Sequence, residues 1–230
     1  MKVAVVTFPG SNCDKDIGTV IEESYKAKVS YIWHKDSIPH GLDLVIIPGG
    51  FSYGDYLRCG AMAKFSPAME SVVSFAKQGG KVLGICNGFQ ILTEAGLLPG
   101  ALVNNIGLKY ICKDQELLIP KNDSKGFWKN FKQTTGSISF PIAHGEGRFF
   151  ASDDTMKSIQ DNDQIIFQYC SENGLVGDAD NPNGALLNIA GITNRSKNVF
   201  GMMPHPERAA DRNLANEDGR LIFESLLKYC

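Results

Sequence analysis

The sequence predicts an α/β protein built on a doubly wound, mostly parallel sheet, with a β-rich insertion in its second half. Short extended runs rich in apolar residues recur at residues 2–7, 29–33, 43–47 and 81–85, and the one at 43–47 is nearly all apolar, the pattern of a strand covered on both faces. Apolar residues at helical spacing fall between them, Ile17, Val20, Ile21 and Tyr25 in one case and Met69, Val72, Val73 and Ala76 in another. Two of the runs end in glycine-bearing turns, at the carboxyl ends where doubly wound sheets bind their ligands.

After the first run, Phe8-Pro9-Gly10-Ser11-Asn12 is a turn, and Asn12 or Asp14 is placed to cap the first helix. The run at 43–47 stops at Pro48-Gly49-Gly50. Ser66 opens a helix that stops at Gly79-Gly80. The run at 81–85 leads into Cys86 and a helix ending near Ala95-Gly96, so four strands are expected to alternate with helices. From residue 101 the texture changes to extended segments and polar loops. Runs at 137–143, 164–170, 185–190 and 199–203 are expected to extend the same sheet, 121–133 to form a mobile insert, and Leu221, Ile222, Ser225, Leu226 and Tyr229 to mark a closing helix. With no repeat or linker to divide it, the chain reads as a single domain, 1–230.

Composition narrows the classes of function. A length of 230 residues is ample for one large α/β core. The formal net charge of -2, with Lys and Arg scattered, gives no footprint for nucleic acid or an anionic membrane and suits a neutral or zwitterionic substrate. The chain enters a strand at Lys2 and has no apolar run of spanning length, so a soluble, cytoplasmic protein is expected. Cys13, Cys59, Cys86, Cys112, Cys170 and Cys230 form neither a C-x-x-C pair nor ligand spacing with the four histidines, which points to reduced thiols and no metal. There is no G-x-x-x-x-G-K loop, so this chain is not expected to use ATP.

The stretch Gly84-Ile85-Cys86-Asn87-Gly88 concentrates the chemistry. A cysteine on a strand-to-helix corner, with glycine two residues to either side, has the pattern of a nucleophile elbow, and free N–H groups at a helix start favour an anion there. A buried filler thiol has the same sequence, so the assignment depends on partners. Such a nucleophile needs a base and the base an orienting group. Met203-Pro204-His205-Pro206-Glu207 offers both: residues before proline favour extended geometry, so His205 and Glu207 are expected to project to one side and meet. His34 and His40 lack such a setting and read as surface residues. Backbone N–H groups of Gly50 and Asn87 are candidates for an oxyanion hole, although Gly49-Gly50 also reads as a tight turn.

These blocks together resemble a known family. Gly-Ile-Cys-Asn-Gly-Phe-Gln at 84–90 with His-Pro-Glu at 205–207 is similar to the class I, triad-type glutamine amidotransferases. Blocks at 8–14, 49–56, 143–147, 181–184 and 202–208 resemble one branch, the glutaminase subunits of phosphoribosylformylglycinamidine synthases. The resemblance implies a three-layer, flavodoxin-like sheet, a Cys86–His205–Glu207 triad, Gly50 and Asn87 as oxyanion donors, and Gln90, His144, Gly145 and Glu146 on the glutamine pocket. It further implies hydrolysis of L-glutamine to glutamate and ammonia, with ATP and Mg²⁺ used by a large synthetase subunit, to which a small subunit provides the bridge. No cofactor is expected in this chain. The departure from the branch is the long stretch 109–133, which bears on partner contacts. A stand-alone cysteine hydrolase of γ-glutamyl compounds would share the triad and needs no partner; a scaffold subunit would retain the fold and be indifferent to loss of Cys86.

Overall fold

The computed structural model describes residues 1–120, 137–211, 213–214 and 216–229. The chain runs β1 (Lys2–Thr7), α1 (Asp14–Thr19), β2 (Lys28–Trp33), β3 (Leu44–Ile47), α2 (Pro67–Lys77), β4 (Lys81–Ile85) and α3 (Asn87–Glu94). It continues with β5 (Ala101–Val103), β6 (Ile111–Leu118), β7 (Ile138–His144), β8 (Arg148–Phe150), α4 (Asp153–Asp161), β9 (Ile165–Tyr169), β10 (Ile189–Thr193), β11 (Val199–Met202) and α5 (Gly219–Tyr229).

Burial separates the central strands from the edge. β3, β10 and β11 are buried at every position, as their apolar sequences require, whereas β2 alternates between exposed and half-buried residues and closes one side of the sheet. Nine strands share one sheet in the order β2-β1-β3-β4-β11-β10-β9-β6-β7. Neighbours from β2 to β11 pair in parallel; those from β11 to β7 pair antiparallel. The fold is thus a doubly wound sheet with an antiparallel extension, and the β-rich half does join the same sheet. β5 and β8 form a separate two-stranded pair, held against α3 by Phe149 stacking on Phe89 at 6.3 Å between centroids.

α2 has a complete N-terminal cap. Ser66 Oγ accepts from Met69 N–H at 3.2 Å and Pro67 takes the first turn, so the helix begins where its orphan donors are satisfied. Its buried residues include Met69, Val72 and Ala76, which places it on the sheet.

Four expectations need correction. The cap of α1 is Cys13, without a side-chain hydrogen bond, because Asn12 Oδ1 instead faces the Cys13 thiol at 3.2 Å. Between β2 and β3 the described chain forms turns and no helix, so the alternation is incomplete. The run at 185–190 becomes strand only at Ile189. Asn181 Oδ1 accepts from Gly184 N–H and Ala185 N–H, and Asn188 donates to the carbonyls of Tyr169 and Gly177; these local bonds replace ladder pairing. Finally His34 is 8% exposed and buried, its Nδ1 bonded with the Tyr53 hydroxyl and its ring met edge-on by Trp33; His40 is exposed. The insert expected at 121–133 and the side chain of Tyr229 lie outside the described residues.

Candidate active site

Cys86 sits on a strained corner. It has φ 50° and ψ -106°, a conformation L-residues avoid and which persists only where the surroundings enforce it. They do so here on both sides. A Cβ on Gly84 would lie 2.6 Å from Gly88 O, and one on Gly88 would lie 1.9 Å from Ile47 O. The two glycines therefore let α3 turn back against β3 and β4, while Cys86 N–H donates to Met202 O at 2.7 Å and ties the corner to β11.

The loop after β3 faces this corner. A Cβ on Gly49 would fall 2.7 Å from His205 Cε1, 3.1 Å from Cys13 Sγ and 3.5 Å from Cys86 Cβ, so the missing side chain makes room for all three. Gly50 has φ 148°, and a Cβ there would meet Gly10 O and Ser11 Cα at 2.8 Å. An antiparallel bridge joins Gly50 to Ser11 and is closed by Phe51 N–H donating to Gly10 O at 2.9 Å, which leaves the Gly50 N–H directed away from that neighbour. Asn87 opens α3, where helix N–H groups have no intrahelical acceptor. Its side chain links the two walls: Oδ1 accepts from Ser52 N–H at 3.1 Å and Nδ2 donates to Gln90 Oε1 at 2.9 Å.

His205 and Glu207 meet as expected, by a different route. Pro206–Ala209 is one turn of 3₁₀-helix, and this turn rather than an extended strand brings Glu207 Oε1 to 2.6 Å from His205 Nδ1. The pair is 2% and 3% exposed. Burial disfavours the imidazolium most strongly, but the Glu207 charge together with Cys86 and Cys13 outweighs it and holds His205 well above its ordinary range. His205 Nε2 has no hydrogen bond, and the Cys86 thiol points to Ala143 O at 3.6 Å. Cys86 is near enough for its sulfur to favour the protonated form of the His205 ring.

A cavity of about 390 Å³ opens onto Cys86, with Gly50, Gln90, His144, Gly145 and Glu146 in its wall. Gln90 Nε2 donates to Glu146 O at 2.7 Å, joining α3 to the turn after β7. His205 does not line this cavity; it borders a smaller one of about 40 Å³ that shares Cys86. His144 is 2% exposed, and burial followed by the nearby His205 charge pushes it down to about 4, so it is a neutral ring.

Some residues at the site carry no separate signal in the sequence. Cys59 and Asp55 line the large cavity. Asn105, 1% exposed, holds His144 through its side chain. Cys13 lies beside His205, and Cys13, His205 and Glu207 have potential ligand atoms within 4.8 Å of one another. Arg208 Nη2, however, donates to Cys13 Sγ at 3.2 Å; its fixed positive charge opposes a cation there. The blocks 8–14 and 49–56 contain Cys13 and Asp55, so position within those blocks is the available signal.

A doubly wound sheet carrying a strained elbow cysteine opposite a buried His–Glu pair has the build of a thiol-dependent amidohydrolase. The CobB/CobQ-like glutamine amidotransferase domain matches residues 1–230. The chain is 53% identical to phosphoribosylformylglycinamidine synthase subunit PurQ of Synechocystis sp., covering 96% of this chain and 98% of that one. It is 49% identical to PurQ of Salinibacter ruber, covering 99% and 96% respectively. The structure of PurLQS from Thermotoga maritima aligns with a TM-score of 0.84 at 40% identity, over 99% of this chain and 98% of that chain. A glutamine amidotransferase of Thermotoga maritima, 16% identical with a TM-score of 0.55 over 99% of this chain and 90% of that one, shares the fold. The chain belongs to the glutamine amidotransferase family, in the group of phosphoribosylformylglycinamidine synthase PurQ proteins. Among the described residues no helix is long and apolar enough to cross a membrane.

Proposed function

We infer that this chain is the glutaminase half of a phosphoribosylformylglycinamidine synthase, releasing ammonia from L-glutamine for purine biosynthesis. The carrying observation is Cys86, held at φ 50° at the junction of the substrate-sized cavity with the one that His205 borders. Near full-length likeness to PurQ proteins supports the pathway. Cys13 is the weaker nucleophile candidate: its sulfur is engaged by Arg208 and Asn12 and does not line the large cavity.

In this reading Cys86 reacts as the thiolate beside the His205 imidazolium, and its sulfur attacks the side-chain amide carbon of glutamine. The oxyanion is held by the Gly50 and Asn87 N–H groups. The His205 imidazolium, stabilised by Glu207, gives its proton to the amide nitrogen as the C–N bond breaks, and ammonia leaves. A γ-glutamyl thioester remains on Cys86. Water then attacks it while His205 takes the water proton, and glutamate departs with the Cys86 thiolate and the His205 imidazolium restored. Gln90, His144, Gly145 and Glu146 hold the amino acid. This chain requires no cofactor and acts as one domain; a synthetase partner uses ATP and Mg²⁺ to activate formylglycinamide ribonucleotide and receives the ammonia, with a small subunit bridging the two.

The test is reconstitution with the synthetase and small subunits of the same organism, supplied with glutamine, ATP and formylglycinamide ribonucleotide. Formylglycinamidine ribonucleotide should form with glutamate, and glutaminase turnover should rise on assembly. Equal turnover by the isolated chain, with cleavage of γ-glutamyl peptides and no amidine product, would establish the stand-alone hydrolase instead.

A further inference from the structure

The wall of the large cavity holds charge that the hydrolytic chemistry does not use. Asp55 and Glu146 both line it, and neither has a cationic side chain within 4.0 Å among the described residues. They are neighbours. Burial raises the Asp55 carboxyl above its ordinary range, opposed by a hydrogen bond from Cys59 and reinforced by the Glu146 charge, the behaviour of two acids sharing a partly desolvated space. Glu146 Oε2 is held by Cys59 N–H at 3.2 Å, and Asp55 Oδ1 lies 3.5 Å from Asn87 Nδ2, next to the elbow.

The backbone that carries Asp55 is costly. Tyr53, Asp55 and Leu57 have φ of 56°, 55° and 72°, and Gly54 between them 71°. Three non-glycine residues in the left-handed region within five positions persist only where a geometry is enforced, and such clusters mark ligand-holding loops.

A second feature of the same cavity points to an occupant with N–H groups. His144 is 2% exposed and its Nε2 has no partner. Asn105 Nδ2 donates to the carbonyls of Lys109 and His144, and Oδ1 accepts from Gly147 N–H at 3.0 Å. The amide is therefore oriented with its oxygen toward the ring, 3.1 Å from His144 Nδ1, and Nδ1 must carry the proton. Nε2 is left as a bare lone pair enclosed just behind the wall, able only to accept. Lys109, on the same wall, supplies the opposite charge for a carboxylate.

We propose that Asp55 and Glu146 form the receptor for the α-ammonium group of the glutamine substrate, with His144 Nε2 accepting one further substrate N–H and Asn105 acting as a positioning residue for that ring. The assignment rests on the glutaminase reading and deepens it: the pocket selects a free α-amino acid over other primary amides. A site built to bond a polar group discriminates strongly against an analogue lacking it, because its own buried groups are then left unpaired.

The experiment uses the assembled enzyme and compares ammonia release from glutamine with that from glutaramic acid, which keeps the amide and carboxylate but has no α-amino group. For the wild type, kcat/KM for glutaramate should be lower by at least about 10²-fold. In the Asp55→Asn, Glu146→Gln double variant kcat/KM for glutamine should fall by about 10²-fold, with a much smaller change for glutaramate, so that the preference collapses. Glutaramate turnover also reports that the variant is folded. A preference that survives the double substitution, or an equal fall for both substrates, overturns the proposal. Failure of the wild-type assembly to release ammonia from glutamine would instead overturn the glutaminase reading on which it rests.

Discussion

β4 and β7 each deliver a residue to the same cavity, and they do it by different physical means. At the end of β4 the backbone does the placing: Cys86 is forced to φ 50°, and Gly84, Gly88, Gly49 and Gly50 are bare where a Cβ would collide. At the end of β7 a side-chain network does it: Asn105 fixes the ring of His144, and Gln90 holds the carbonyl of Glu146. The parallel part of the sheet thus brings together the groups proposed to react, and the antiparallel extension builds the wall proposed to recognise the substrate. Placement by backbone is rigid, since it is enforced by packing of main chain on main chain. Placement by side chains can be retuned without disturbing the elbow.

The largest effect expected from this division is at Cys86. Cys86→Ala should lower glutamine hydrolysis by more than about 10⁴-fold while the thermal midpoint moves by only a few degrees, about what a change of 1 kcal/mol gives. Cys13→Ala in the same assay should cost far less, and the reverse order would move the nucleophile to Cys13. Next comes Gly50→Ala, in which a methyl group meets Gly10 O and Ser11 Cα at 2.8 Å and displaces the candidate donor; kcat should fall by roughly 10²–10³-fold, read from steady-state glutamate release.

Glu207→Gln tests the ion pair by pH. His205 is raised above its ordinary 6.5 by Glu207, so the pair stabilises the folded protein fully below 6.5 and loses that contribution as pH climbs through the folded value. The stability gap between wild type and variant, from denaturant titrations, should be widest below pH 6.5 and narrow above it, and the alkaline limb of kcat/KM should move to lower pH. A gap that widens with pH would contradict the assigned charge state.

On the recognition side the effects are smaller. Gly147→Ala places a methyl 2.3 Å from His144 Nδ1 and should raise KM for glutamine about tenfold with little change in kcat, since ground-state and transition-state binding suffer alike. An equal loss in kcat would show that the wall and the reacting groups are not separable. The smallest change is remote from both: Ser66→Ala removes the cap on Met69 N–H and should cost about 1 kcal/mol of stability with activity intact.

The same division explains what can be read in the chain. The apolar runs of β1, β3, β4 and β11 and the glycines around Cys86 are legible because parallel strands and close backbone approaches leave composition signals that are local. His205 and Glu207 are legible because they are two residues apart, though the prolines suggest an extended segment where the structure has a turn. Asn105 and Asp55 are not. Their roles depend on β7, β8 and the loop after β3 meeting in space, which no local pattern records; for Asp55 the only signal is its place within the block 49–56. His34 reads as a surface residue for the same reason: Tyr53, far along the chain, buries it.

The sequence by itself determined the sheet, the elbow and the pair that faces it, because each follows from local backbone preference and burial over a few residues. The tertiary structure alone decided that Gly49 is the clearance between His205 and two thiols, that only one of those thiols opens onto the large cavity, and that two carboxylates share its wall. These are distances between segments remote in sequence, and they are set when the core packs.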